Sequence, residues 1–178
     1  RTILFMNRLY IKDVSQSVGE EVLVKAWVDV RRDQGKMVFL DLRDMTGKVQ
    51  AVVLPNHTEA LEVAQKVRPE WVLAVTAKVN KRPEKNIKVG VVGGDVELEV
   101  LAIEVLNEAT TPAFDISTDG YEVGEEVRLE HKYLDQRRAR IQRNIRMRHK
   151  VIAEIRNYFD KEGFVEVDTP LLTNPTPE

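Results

Sequence analysis

The chain of 178 residues contains no cysteine, which removes disulfides, thiolate metal ligands and cysteine nucleophiles from consideration and fits a cytoplasmic location. Aromatic residues are scarce at 6%, so an aromatic placed away from a core is informative. Long apolar runs are missing as well. Ile3-Leu4-Phe5-Met6 is too short for a signal-peptide core or a membrane span, and no membrane association is expected. The three histidines, His57, His131 and His149, have no carboxylate or second histidine at metal-ligand spacing. Gly90-Val91-Val92-Gly93-Gly94 lacks the lysine and following helix of a phosphate-binding loop and predicts a hairpin turn. Neither sign of charge dominates: a formal net charge of -2 gives no global attraction to a polyanion, so any such binding must come from local patches.

What remains is the balance of a globular protein, 43% apolar and 31% charged, long enough for one large or two small domains. Because Met6-Asn7-Arg8 reads as a start, residues 1–5 are expected to be upstream sequence or a processed leader. The most informative stretch is Val22 to Gln50. From Val22 to Arg31 the even positions are all small and apolar, while Lys25, Asp29 and Arg31 fall on the odd ones, the period of a half-buried strand. After a turn at Asp33-Gln34-Gly35-Lys36, Val38, Leu40 and Leu42 form the inward set of a second strand, which leaves Phe39 on the outer face with Asp41 and Arg43. A turn at Met45-Thr46-Gly47 leads to a third strand, with Val49, Ala51 and Val53 inward and Lys48 and Gln50 outward.

An outward ring flanked by Arg31, Arg43, Lys48 and Gln50 suits an unpaired nucleotide: the ring stacks on a base, the amide reads an edge and the cations meet phosphate. The same letters also fit an aromatic in a core, because a one-residue slip of register inverts every face. Further along, residues 10–18 predict a short helical turn closed by Gly19, and Ala60, Leu61, Ala64 and Val67 recur at helical spacing up to Pro69. Trp71 to Val79 reads as a fourth strand, and Val96 to Leu106 as a fifth with a bulge near Leu101-Ala102. Three strands, a helix and two strands is the order of an all-β OB-fold barrel, which presents its second and third strands to single-stranded nucleic acid. Lys78, Lys81, Arg82, Lys85 and Lys88 either flank that groove or form a solvated loop.

The composition then changes. Residues 109–126, broken by Thr110-Thr111-Pro112 and acidic beyond, read as a linker between an OB-fold domain (1–108) and a mainly helical segment with one strand (127–178). A helix is expected near Val127 to Gln136. Seven cations, Arg137, Arg138, Arg140, Arg143, Arg146, Arg148 and Lys150, follow within fourteen residues free of acid. They are expected on a long helix whose apolar stripe runs from Ile141 to Phe159 and which Gly163 ends; the run either contacts RNA or pairs with acidic neighbours. Phe164 to Pro170 alternates as a strand.

Three stretches carry a resemblance. Trp27-Val28-Asp29-Val30-Arg31-Arg32-Asp33, with Phe39-Leu40-Asp41-Leu42-Arg43-Asp44 and Gly47-Lys48-Val49-Gln50, resembles the anticodon-binding barrel of aspartyl-tRNA synthetases. Leu129 to Arg138 is similar to the segment joining that barrel to the catalytic domain. Gly163 to Leu172, behind its long helix, resembles motif 1 of the class II α+β catalytic domain. The resemblance implies that Phe39 stacks on the central anticodon uridine, that Gln50 bonds it, and that Arg31, Arg32, Arg43 and Lys48 contact the anticodon. Val30 stands where the family commonly has a further basic residue. It also implies a homodimer interface including Phe164 and Pro170, and an amino-acid-binding loop including Glu178.

For the parent protein the resemblance implies an ATP-dependent, Mg2+-assisted ligase that joins L-aspartate to tRNA(Asp) through an aspartyl-adenylate. Motifs 2 and 3 are not in this stretch, so the 178 residues alone are expected to be inactive, with no cofactor of their own and no catalytic residue. Two other readings stand beside this one: a non-catalytic OB-fold protein that binds single strands, and an asparaginyl- or lysyl-tRNA synthetase relative whose anticodons share the central base.

Overall fold

The alternation between Val22 and Val53 is realised as one continuous wall of sheet. The computed structural model describes residues 7–171 of the chain. A two-residue strand β1 (Arg8–Leu9) leads through a 3-10 turn, Ile11–Gln16, into β2 (Glu21–Gln34), β3 (Met37–Arg43) and β4 (Lys48–Val53). Helix α1 (Thr58–Lys66), β5 (Val72–Lys81) and β6 (Val96–Asn107) complete the first unit. β3 pairs antiparallel with both β2 and β4, β6 lies parallel to β4 and antiparallel to β5, and β5 returns to β2. Five strands thus close into the OB-fold barrel, with β1 added parallel to β2. β2 serves two neighbours because it is long: residues 21–27 pair with β5 and residues 27–34 with β3.

The inward sets expected for β2 to β4 fill the interior together with alternate residues of β5 and β6. Val22, Val24, Ala26 and Val28 meet Val38, Leu40, Leu42, Val49, Ala51, Val53, Leu73, Val75, Ala77, Val79, Val96, Leu98 and Val100 in one buried cluster. Ala60 and Ala64 of α1, with Val67, join it, as do Ile11 and Val14 of the 3-10 turn. Small and β-branched side chains suit the confined bore of a five-stranded barrel, and truncating a buried Leu40 to Ala should cost about 2–5 kcal/mol. The bulge expected near Leu101-Ala102 is present, as a register shift opposite Thr76 and Ala77.

The even-in, odd-out rule fails at one place. The pairing of β2 with β3 shifts between Val28 and Val30, so Asp29 is an extra residue in the strand. Beyond this bulge the faces exchange: Arg31 lies opposite inward Leu40, and Arg32 opposite Phe39. Arg31 is therefore not on the outer face that uninterrupted alternation gives it.

The compact units divide at Pro112 and Ala113. In the second unit the single helix expected near 127–136 is two short ones, α2 (Glu125–Glu130) and α3 (Lys132–Asp135), parted at His131. Helix α4 (Ala139–Lys161) begins after Arg137 and Arg138, so those two cations precede it rather than ride on it. Its stop at Gly163 is as expected. Residues 164–170 form no strand, because alternation marks which faces would pair but supplies no neighbouring backbone to pair with. Among the described residues no helix is long and apolar enough to cross a membrane.

Candidate nucleic-acid interface

The outer wall of the barrel carries Phe39 as a half-buried plate outside the core cluster. Cross-strand pairing sets its neighbours: Arg32 on β2, Val52 on β4 and, beyond Val52, Glu99 on β6. Val52 is itself 5% exposed yet absent from the core cluster, so it floors the outer surface beside the ring. The next row holds Asp41, Gln50 and Glu97. Gln50 is thus a diagonal neighbour of Phe39, within about 7–8 Å on the same face. Arg32 is exposed and donates to Asp41 at 2.9 Å, which holds the guanidinium beside the plate.

Gln50 is not a freely turning amide. Its Oε1 accepts a short hydrogen bond from Nη2 of Arg82. Arg82 is only 6% exposed, its Nη1 donates to the carbonyl of Asn86 at 3.2 Å, and its backbone N–H donates to the carbonyl of Asp95 at 3.0 Å. With the oxygen so held, the Gln50 amide keeps its N–H donors for another acceptor. Such a donor pair on the same face as a flat apolar ring is matched by a pyrimidine carbonyl. The sequence groups Arg82 with the neighbouring lysines as one loop cluster; the structure separates it as the buried residue that holds the Gln50 oxygen. No local letter marks that burial, since the hydrogen bonds that permit it come from β4 and from the loop after β5.

The other expected cations go elsewhere. Arg31 donates to the carbonyls of Gln65 at 2.6 Å and Val67 at 3.2 Å, and pairs with Asp33 at 2.5 Å. It therefore satisfies backbone acceptors at the C-terminus of α1, where a cation also complements the helix dipole. Its hydrogen bond holds the Asp33 carboxyl below its usual range. Arg43 grips Glu70 at 2.5 Å, stands 3.4 Å from Asp29, and its guanidinium carbon lies 6.0 Å from the Trp27 ring centre. Glu70 is a buried residue with φ of 69°, a left-handed backbone that an L side chain adopts at a cost of about 1–2 kcal/mol. Lys48 meets the far oxygen of Asp29 at 2.7 Å. The structure thus brings Phe39, Gln50 and Arg32 together and ties Arg31, Arg43 and Lys48 into the frame of the barrel.

In the second unit Phe164 is 65% exposed with its ring edge-on to Phe159 at 5.4 Å, and Pro170 is exposed. Glu178 lies outside the described residues. Arg138 is fully buried, while the α4 stripe of Gln142, Arg143, Arg146, Met147 and Lys150 lines a shallow groove. Among the described residues no group of three or more His, Asp or Glu stands ready to hold a metal ion.

Two family models match the chain: an OB-fold nucleic acid binding domain over residues 22–106, and tRNA synthetases class II (D, K and N) over residues 124–178. An aspartate–tRNA(Asp/Asn) ligase of Geobacillus sp. (strain WCH70) is 46% identical over 177 residues, 98% of this chain and 30% of that protein. An aspartate–tRNA ligase of Bacillus licheniformis is 41% identical, again over 98% of this chain and 30% of its own length. The chain therefore spans under a third of these relatives. Among solved structures, asparaginyl-tRNA synthetase from Pyrococcus horikoshii with asparaginyl-adenylate superposes with a TM-score of 0.76 at 27% identity, covering 94% of this chain and 37% of that one. Aspartyl-tRNA synthetase from Entamoeba histolytica, at 24% identity, shares the fold with a TM-score of 0.81 over 95% of this chain and 40% of its own.

Proposed function

We infer the role of these residues from a single premise: the chain belongs to the class II tRNA synthetases of the D, K and N group, and carries their OB-fold nucleic acid binding domain ahead of the start of the synthetase domain. The reading is that the barrel receives the anticodon loop of tRNA in the parent aspartate–tRNA ligase. Phe39 stacks on the central base, a uridine, Gln50 donates from its amide to a uracil carbonyl, and Arg32 attracts the phosphates. The observation that carries this is the half-exposed Phe39 beside a glutamine whose oxygen is already held by buried Arg82. A flat apolar ring gives a base its stacking partner whatever the sequence, and the fixed amide adds the selection.

For the parent enzyme we propose ATP-dependent joining of L-aspartate to tRNA(Asp) in the cytoplasm, by a homodimer whose interface includes Phe164 and Pro170. Glu178 belongs to its amino-acid-binding loop. ATP and magnesium engage the synthetase domain, and no chemical step is assigned to the barrel. A reader of the central base alone treats aspartate and asparagine anticodons alike, in keeping with the double substrate in the name of the Geobacillus relative.

The test is the affinity of the 178-residue chain for anticodon stem-loop hairpins that differ only in the central base. Uridine should be preferred by about tenfold, the scale of one good directed contact. Equal binding of all four bases would leave only a general single-strand binder.

A further inference from the structure

Arg138 sits in a run that reads as a basic surface, yet its side chain is 0% exposed. A buried guanidinium persists only when its N–H groups are met, since desolvation costs several kcal/mol. Here Nε donates to Oδ1 of Asp135 at 2.8 Å, and Nη1 donates to the carbonyl of Thr118 at 2.8 Å and to its hydroxyl at 2.7 Å. Glu122 lies 3.8 Å from Nη1, Nη2 has no hydrogen-bond partner among the described residues, and the guanidinium carbon lies 5.0 Å from the centre of the Phe114 ring. Asp135 is held from its other side by Arg128 at 3.0 Å.

The backbone wraps this group closely. Gly120 has φ of 83°, and a Cβ there would stand 2.7 Å from Nε of Arg138. Nearby, Nε of Arg140 donates to the carbonyl of Asp119 at 3.0 Å and its guanidinium covers the Tyr121 ring at 4.8 Å. Residues 114–122 contain no helix or strand, and these two arginines bind them to the entry of α4. On the barrel side, the indole N–H of Trp71 holds the carbonyl of Ala109 at 3.0 Å. Between the two fastenings, residues 110–113 carry no such tie to another described residue.

We propose that Arg138 is a latch that sets the length of the tether between the nucleic-acid-binding barrel and the synthetase domain. With the latch closed the tether is residues 110–113 and reaches at most about 15 Å; opened, it extends to Gly124 and reaches about 50 Å. A short tether confines the second unit once the first has bound, which raises the effective concentration of one for a ligand held by the other. This use of the latch rests on the anticodon reading, because reach matters when one tRNA must meet both units.

The test is hydrogen exchange on the 178-residue chain, read by mass spectrometry, together with small-angle X-ray scattering. Arg138→Lys keeps the charge but loses the fork, and should speed exchange of residues 114–123 at least tenfold, leave residues 22–106 within twofold, and lengthen the maximum dimension. If that variant does not fold, Gly120→Ala keeps the guanidinium and pushes the backbone off it, with the same expected result. Unchanged exchange at 114–123, equal acceleration across the barrel, or an unchanged dimension overturns the latch. Hairpin binding measured on the same samples tests the anticodon reading separately: loss of uridine preference removes that reading, while local faster exchange with a longer particle still upholds the latch.

Discussion

Two patches of the same barrel wall, a few residues apart, are built from the same kinds of side chain and are bonded differently. One is Phe39 with Arg32, Gln50 and Arg82; the other is Trp27 with Arg43, Lys48 and Asp29. Each has an aromatic ring and a basic group on outward positions of β2 to β4, and the first adds buried Arg82 from just beyond β5. In the second patch every cation is answered: Arg43 by Glu70 and Asp29, Lys48 by Asp29. In the first, buried Arg82 is turned to the neutral amide of Gln50, and Arg32, its side chain 45% exposed, pairs with Asp41 at 2.9 Å. The two patches therefore differ in their enclosed cation: Arg43 is neutralised by Glu70 and Asp29, whereas Arg82 bonds to neutral oxygens of Gln50 and Asn86, and a neutralised cation projects little field outward.

The sharpest way to break this comparison is to remove Arg43. Arg43→Met should destabilise the barrel by about 3 kcal/mol, since buried Glu70 loses both hydrogen bonds from the guanidinium, and should change hairpin affinity less than twofold; urea unfolding and a binding titration check both. Next in size, Phe39→Ala should weaken binding of a uridine-centred hairpin by about 10- to 100-fold, the range of one stacked base, while the unfolding midpoint barely moves. A large stability loss with unchanged affinity would reverse the roles of the two patches. Arg82→Lys frees the Gln50 oxygen and should erase most of the preference for uridine over cytidine, an effect of about tenfold measured across the same hairpins. Lys48→Ala, by contrast, should lower affinity less than twofold, with the slope of affinity against salt almost unchanged.

The smallest change near neutrality concerns the second unit and pH. The side-chain hydrogen bond from Arg128, followed by that from Arg138, holds the Asp135 carboxyl below its usual range. A depressed carboxyl contributes stability that is fully present above its unfolded value, about 3.9, and is lost as pH falls through the lower folded value. Exchange protection of residues 114–142 should therefore be flat from pH 7 to 5, after correction for intrinsic rates, and fall only in stronger acid. Loss of protection already at pH 6 would point to a histidine instead.

How far the sequence could be read follows from what each feature depends on. The inward sets of β2 to β4 and the order of the strands were legible because alternation is a local property enforced by one barrel interior. Phe39 and Gln50 shared a face on the same grounds. Arg31 did not stay with them, because a single bulge residue at Asp29 leaves no compositional trace and reverses every position after it. The run from Arg137 to Lys150 looked uniform, yet its second member is the most enclosed charge described in the chain, since its partners come from residues 114–135. The break at His131 and the absence of a strand at 164–170 likewise depend on packing and pairing that residue spacing does not encode.

The sequence by itself determined a five-stranded barrel, a long amphipathic helix and an aromatic ring on an outer wall, because periodicity and turn residues act over a few neighbours at a time. Only the tertiary structure decided which cations are available to a ligand and which are spent on Glu70, Asp29, Asp135 or a helix end. That choice depends on acids and carbonyls brought within 4 Å from distant parts of the chain, and a charge's field outside the protein is set by those neighbours rather than by its own identity.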